Sequence, residues 1–543
     1  MIPAPLPLSI LDVQGTIKPR GNKAAALAGG VLGMSSQIEV DPAVAETFPL
    51  LIRAAAARYG DEVAITFKGD TIPDDSATFS QLESRSAELA KGLIAAGAGK
   101  GTRLGFIYGN GPTFAITLAA IARIGAIAIP ISTLIKSNEL VRVLRQSDVA
   151  GLFVQRSLLG KDYVERLCDA LPALREGTSA ELRLPQVPYL RWIVSSGASL
   201  PGSVRNVSSL TAASRTVSDE LLRQIESEVH PSDQMIEIYT SGSMALPKGV
   251  KHHHGPVLFR THYVRSMLPL ARGQEVRAWL PMFWVGGLMM YLLPNWEIGG
   301  RTVCSEGTPT NHLVAIGSVL AVDEVGRRAP PYWGLGMSET LGPYAYGDEL
   351  RAPGYPLCTP MDHIADRFEV QIVDAEGRIV PEGVPGEIQI RGYAVTSGLH
   401  KIERAEHFAP DGFYPTGDMA LIEGKRILFV GRSGDMIKTA GSNVSPAEVE
   451  MEIQQLEGVH TAYVVGLPDR ERGQLVVAAL VPRDGATLDV NEIEKTLRQR
   501  LSGYKVPRAY VLITHEEVPM LASNKVARRQ IEAMMARKLG REG

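Results

Sequence analysis

From residue 48 to about residue 280 the chain alternates short β-branched or apolar runs with stretches of helical period, and this rhythm constrains its fold more than any other feature. VAITF at 63–67 is followed by a helical pattern at 80–96, RLGFIYG at 103–109 by another at 113–124, and then comes AIAIPI. Strand and helix in turn predict parallel strands crossed by helices. Between 362 and 422 the rhythm changes to strands bounded by turn residues, with FEVQIVD and GEIQIRG, and RILFVG follows at 426–431; this predicts a mainly β subdomain. Past Asp435 a small α+β unit begins. Helices are expected at 446–456 and 491–501, strands at TAYVVGL, QLVVAALV and AYVLI, and a basic helix from near 526. The expected fold is thus α/β, with a peripheral extension at 1–44, a large N-terminal domain at 45–433 and a small mobile α+β domain at 434–543.

At 543 residues, 45 % of them hydrophobic, the chain is too long for one core and rich enough for several. Its 56 Lys and Arg against 59 Asp and Glu leave a charge of −3, which excludes a broad basic surface for nucleic acid or anionic lipid. Cys168, Cys304 and Cys358 lie far apart with no C-x-x-C pair, so neither a disulfide framework nor a zinc site is expected, and a reducing cytoplasm fits. The first thirty residues lack the basic start and unbroken apolar core of a secretory signal. The apolar stretch 113–131 is broken by Arg123 and Pro130, which suits a buried helix feeding a strand better than a membrane span. Adjacent His252, His253 and His254 cannot all face one ion, and solvated or phosphate-facing imidazoles are expected there. The glycine cluster at 97–101 reads as a helix end, and SSGASLPG at 195–202 as a strand-end turn.

TSGSMALPKG at 240–249 follows the apolar run MIEIY. Such a loop offers backbone N–H groups, hydroxyls and one ammonium to a polyphosphate, with little side-chain bulk in the way. It is not the Walker loop, because Pro247 precedes Lys248 and Gly249 follows it. Downstream come WGLGMSET at 333–340, YPTGD at 414–418, GRSGDMIKTAGSNVSPAEVE at 431–450 and PMLASNKVARR at 519–529. Any of these alone is an ordinary turn or helix start. In this order they resemble the signature set of the adenylate-forming superfamily, which includes acyl-CoA synthetases, luciferases and the adenylation domains of peptide synthetases. The resemblance runs from about residue 48 to 529.

The resemblance implies a role for each matched residue. Thr240, Ser241, Gly242, Ser243 and Lys248 would hold the departing pyrophosphate of ATP, Glu339 with Thr240 would hold Mg²⁺, and Ser338 would touch the α-phosphate. Leu335 and Gly336 would lie beside the adenine. Asp418 has two acceptor oxygens suited to ribose hydroxyls and Arg432 a forked donor; one hairpin spans the interval between them and brings both to the same edge. Lys525 stands where the family keeps its adenylation lysine. Lys438 and Gly441 would face the site after the small domain rotates about Gly434, for thioester formation with coenzyme A. In PMFWVGGL at 281–288, Phe283 and Trp284 would gate the acyl site, and Gly286 and Gly287 would leave room for an apolar acid.

Several positions depart from the family pattern. Met244 and Ala245 stand for Thr-Gly, Leu335 for a common tyrosine, Trp284 for a frequent histidine, Gly434 for a charged hinge and Asn524 for glycine. The interval 284–336 is short and lacks the Gly-Gly-Ala-Pro-like turn that meets adenine. The function implied is an ATP- and Mg²⁺-dependent acid:CoA ligase acting on a hydrophobic carboxylic acid through an acyl-adenylate. Two alternatives stay open: transfer of the acyl group to a carrier protein, and a non-catalytic nucleotide- or acyl-binding relative. The assembly stays open between monomer and homodimer.

Overall fold

The computed structural model describes residues 41–135, 137–240, 248–268, 270–278, 280–306, 334–346, 357–439, 442–501, 503–521 and 526–541. The alternating region builds a seven-stranded sheet in the order Lys248–His253, Gln234–Thr240, Ile127–Pro130, Arg103–Ile107, Gly151–Val154, Trp192–Ser195, Arg205–Asn206. All neighbours pair parallel except the first two, which form an antiparallel hairpin at the edge. Ile127–Pro130, Gly151–Val154 and Trp192–Ser195 are buried at every position, as expected of parallel strands covered on both faces.

Two helices show why the local sequence folds this way. Phe79–Ala95 starts at Thr78, whose side chain accepts from Gln81 N–H while the Gln81 side chain accepts from Thr78 N–H. Pro112–Arg123 is buried along nearly its whole length. Its Arg123 is neutralised by Glu226 and Glu83 at 2.5 and 2.7 Å, so one charge in an apolar run sits in the interior without crossing a membrane. Among the described residues no helix is long and apolar enough to cross a membrane.

Among the further sheets of the described residues, a two-stranded pair, Gly334–Met337 with Gly342–Tyr346, carries Leu335 and Gly336, and three larger ones make the frame. Glu275–Arg277, Arg301–Ser305, Val63–Lys68 and Asp75–Thr78 form a four-stranded sheet. Leu357–Pro360, Arg426–Arg432, Tyr414–Glu423, Gly386–Gly392 and Phe368–Val373 form the expected β subdomain, antiparallel throughout. The C-terminal sheet contains Ser442–Val444, Ile437–Thr439, Gly473–Pro482, Val459–Asp469 and Ala509–Leu512. Separate apolar clusters cover its two faces, one from Pro446–Gln454 and Val490–Arg500, the other from Arg528–Lys538. The fold is therefore mixed α/β, with a large N-terminal part and a small C-terminal one. The shortened interval falls largely on 307–333, outside the described residues.

Candidate active site

The phosphate-loop segment connects the two strands of the edge hairpin, where Thr240 and Lys248 face each other. Residues 241–247 and the Thr240 side chain lie outside the described residues, so Ser241, Gly242, Ser243 and the Met244–Ala245 departure carry no geometry. The base of the hairpin is rigidly built. Buried Glu237 accepts from Tyr239 O–H at 2.7 Å and pairs with Arg103 at 2.6 Å. A Cβ at Gly249 would overlap the Glu237 carboxylate, which explains the glycine after Lys248.

Residues 396–400 run along the hairpin's outer strand. His400 N–H donates to Gly249 O at 2.8 Å, Lys251 N–H to Gly398 O at 3.2 Å, and Thr396 Oγ1 to Lys251 O at 2.9 Å. Thr396 N–H also donates to Glu339 O at 2.7 Å, and His252 Nε2 donates to Ser338 O at 2.8 Å. One hydrogen bond from the lysine-bearing hairpin and one from the segment beside it thus hold the Ser338–Thr340 turn. The expectation of solvated or phosphate-facing histidines is corrected here. His252 and His254 are buried, His254 Nδ1 accepts from Phe48 N–H at 3.1 Å, and burial pushes the two imidazoles down to about 4 and about 3, so both stay neutral.

Glu339 is 8 % exposed. Tyr414 O–H donates to its Oε1 at 3.1 Å, and no hydrogen bond to Oε2 occurs among the described residues. The Tyr414 ring packs edge-on against Phe408, centroids 5.1 Å apart, which fixes the hydroxyl's direction. His407, next in sequence to Phe408, feels both Lys248 and Glu339; burial and then the Lys248 cation hold its pKa below the usual imidazole value. Lys248 and Glu339 therefore both lie within electrostatic reach of His407. No group of three or more His, Cys, Asp or Glu suited to a metal occurs among the described residues. One buried carboxylate with a spare oxygen fits Mg²⁺, which takes most of its ligands from water and substrate phosphates.

Asp418 and Arg432 stand directly opposite each other in the Tyr414–Glu423/Arg426–Arg432 pair, Arg432 Nε lying 2.9 Å from Asp418 Oδ1. The corner before Asp418 is Gly417, at φ +73°, a conformation that favours glycine, and its N–H donates to Glu387 Oε1 at 2.9 Å. Burial lifts Asp418 up to about 6; Arg432 pulls the other way, while Glu387 and Glu339 push with burial. Asp418 and Glu339 thus share one electrostatic environment. The hairpin makes Asp418 and Arg432 neighbours as the spacing predicts, and the two form an ion pair that the spacing alone does not give.

Other expected site residues have a different setting. Leu335 is 4 % exposed in the large core, so any contact with a bound base falls to its backbone or to Gly336, whose next strand neighbour is Pro343. Phe283 is buried and packs edge-on against half-buried Trp284 at 5.4 Å. The two glycines after them do not leave empty space. A Cβ at Gly287 would overlap the Pro281 carbonyl, so Gly287 serves close backbone packing, whereas one at Gly286 would lie 2.6 Å from Leu280 Cδ1, the movable end of a side chain. Lys438 is exposed, its N–H donating to Gln474 Oε1 at 2.7 Å. Gly434 sits in an exposed turn where a Cβ would meet nothing within 4 Å. Lys525 and Gly441 lie outside the described residues. The sequence gives no role to Tyr414 or Thr396; Tyr414 alone carries a signal, as the first residue of YPTGD.

Comparison with known proteins agrees with this arrangement. The family model of the AMP-binding enzyme matches residues 52–322, and that of the AMP-binding enzyme C-terminal domain matches 448–525. The chain belongs to the AMP-binding enzymes, the adenylate-forming superfamily of acyl-CoA synthetase-like ligases. It is 27 % identical over 545 positions to the mitochondrial medium-chain acyl-CoA ligase ACSF2 of Mus musculus, covering 90 % of this chain and 87 % of that protein. It is 27 % identical over 505 positions to the feruloyl-CoA synthase of an Amycolatopsis species, covering 84 % and 93 %. Its fold matches the crystal structure of the anthranilate CoA ligase AuaEII in complex with anthranoyl-AMP with a TM-score of 0.70 at 20 % identity, covering 90 % and 97 % of the two chains.

Proposed function

We propose that this AMP-forming ligase activates a hydrophobic carboxylic acid with ATP and passes the acyl group to coenzyme A. What supports this reading is that Lys248 and Glu339 both act on His407 and Glu339 also acts on Asp418, so residues of three separate segments lie within electrostatic reach of one another. Similarity to acyl-CoA ligases over most of the chain supports it.

In the first half-reaction a carboxylate oxygen bonds to the α-phosphorus as the bond to pyrophosphate breaks. Two anions must approach, so the demand is for cations and oriented donors rather than a general base. Lys248 and the loop amides would bind the leaving pyrophosphate, and Ser338 the α-phosphate. Asp418 would accept from the ribose hydroxyls, with Arg432 fixing its carboxylate. Tyr414 holds Glu339 in place, and Mg²⁺ at Glu339 would supply neutralisation of the β- and γ-phosphates. Lys525 would bridge the carboxylate and the α-phosphate. In the second half-reaction the CoA sulfur bonds to the acyl carbon, AMP leaves, and the thiol proton goes to solvent. Lys438 and Gly441 would border the site then, after the 434–543 unit turns about Gly434. The free, buried thiols Cys168, Cys304 and Cys358 suit a cytoplasmic enzyme, and a homodimer is compatible with this scheme.

Purified protein given ATP, Mg²⁺ and a panel of fatty, aromatic and polycyclic acids should release pyrophosphate, and should form thioester only when CoA is added. Acyl transfer to a carrier protein but not to CoA would replace this acceptor with the other one. ATP binding without pyrophosphate exchange for any acid would leave a non-catalytic relative.

A further inference from the structure

Lys248 stands on the end strand of the seven-stranded sheet, where strand pairing supports one side only. Segment 396–400 holds the other side, although it forms no helix or strand of its own. Val250 and Leu399 make an antiparallel bridge, His400 N–H donates to Gly249 O at 2.8 Å, and Lys251 N–H donates to Gly398 O at 3.2 Å. At its other end the segment reaches Glu339, through Thr396 N–H to Glu339 O at 2.7 Å. Five residues thus join the residue after Lys248 to Glu339 itself.

The side chain of His400, 15 % exposed, anchors this segment to the middle of the sheet. Its Nε2–H donates to Asp148 Oδ2 at 3.1 Å, and its Nδ1 lies 3.7 Å from Glu237 Oε2. Asp148 is in the turn between helix Ser137–Gln146 and strand Gly151–Val154, at φ +52°, and its other oxygen accepts from Lys401 Nζ at 2.7 Å. Glu237 is fully buried on the strand that leads into the phosphate-loop segment, and accepts from Gln234 Nε2 at 3.1 Å as well as from Tyr239. Burial holds the imidazole below its usual pKa against the pull of Glu237, so a single N–H remains and Asp148 takes it. A hydrogen bond to a carboxylate, spanning 252 residues of sequence, orders a segment that regular structure does not.

We propose that His400 is a positioning residue for adenylation: anchored between Asp148 and Glu237, it fixes segment 396–400 and with it the separation of Lys248 from Glu339. This rests on the ligase reading above, in which those two residues hold the leaving pyrophosphate and its Mg²⁺. Their placement matters until pyrophosphate has left and not afterwards, so an error in it is felt in one half-reaction.

The test compares His400→Phe, which keeps a ring and loses both nitrogens, with His400→Gln, which keeps an N–H able to reach Asp148. His400→Phe should raise the KM for ATP in pyrophosphate release roughly tenfold to hundredfold, as loss of a hydrogen bond to a charged group implies. The KM for the acid, and thioester formation from supplied acyl-adenylate, should stay as in the wild type. His400→Gln should recover most of the loss. Asp148→Ala should raise the KM for ATP in the same way, and the double variant no further than either alone, because the two side chains act as one unit. Equal loss in both half-reactions, or an unchanged KM for ATP, would overturn the proposal and leave the ligase reading standing; a lowered Tm would then be the whole effect of His400→Phe. Where no acid releases pyrophosphate, the Kd for Mg-ATP is read instead. A rise with His400→Phe and recovery with His400→Gln would uphold the positioning role and remove the ligase reading, whereas an unchanged Kd, or no ATP binding by the wild type, would remove both.

Discussion

The large N-terminal part and the small C-terminal unit hold their candidate site residues in opposite ways. In the former, Glu339 and Asp418 are buried and bonded to neighbours from other segments, through Tyr414, Thr396 and Arg432. In the latter, Lys438 is exposed and held only through its backbone, and the turn at 433–435 that leads to it has open space around Gly434. One specific bond near this join runs from Ser445 Oγ to Val430 O, by the residue whose side chain also caps helix Pro446–Gln454. On the proposed reading, a nucleotide site organised before substrate arrives would meet reactive groups presented by a unit that follows an exposed turn.

The largest test of this contrast is Lys525→Ala. It should lower adenylate formation about a hundredfold to a thousandfold, as loss of a charge-stabilising donor does elsewhere, while sparing thioester formation from supplied acyl-adenylate. Equal loss in both half-reactions would mean that the small unit does not exchange one lysine for another. Lys438→Ala should show the reverse split.

Asp418→Asn tests the organised side through pH. Asp418 has its folded pKa raised to about 6, so the folded state binds the extra proton, and stability from this group is lost as pH rises from about 4 through 6. At pH 8 the wild type carries a buried charge costing up to about 3 kcal/mol, at 1.36 kcal/mol per unit. Asp418→Asn should therefore be more stable than wild type at pH 8, with the gap closing by about pH 4 in chemical denaturation. Its ATP affinity should be lower and should no longer improve as pH passes 6. A stability gap that does not change with pH would refute the burial argument.

Smaller effects should follow at the edges of the comparison. Tyr414→Phe removes one hydrogen bond to Glu339, worth about 1 kcal/mol, and should lower kcat/KM severalfold with a raised Mg²⁺ requirement; a normal Mg²⁺ titration would argue that Glu339 is held by other means. Gly434→Ala should be the mildest, within about 0.5 kcal/mol of wild type in stability, because a Cβ there meets open space. A marked drop in thioester yield from so small a change would identify Gly434 as the pivot.

Much of the architecture was legible because its signals are local. GEIQIRG at 386–392 alternates and becomes Gly386–Gly392, and the apolar run containing Arg123 becomes the buried helix Pro112–Arg123 followed by Ile127–Pro130. The Asp418–Arg432 pairing was legible too, since one hairpin fixes it. The histidine triple misled because alternation along Lys248–His253, continued into the helix start at His254, buries His252 and His254 beneath elements far away in sequence. Gly287 misled for a similar reason: a missing side chain looks the same in sequence whether a ligand or the chain's own backbone fills the space.

Sequence alone determined the strand–helix rhythm, the order of the motifs and the charge balance, because periodicity and turn chemistry act over a few residues. Tertiary structure alone decided which carboxylates and histidines would be buried and which glycine would be filled. Those depend on what distant segments bring to each side chain. Tyr414 beside Glu339 is a fact of packing that neighbours in sequence do not encode.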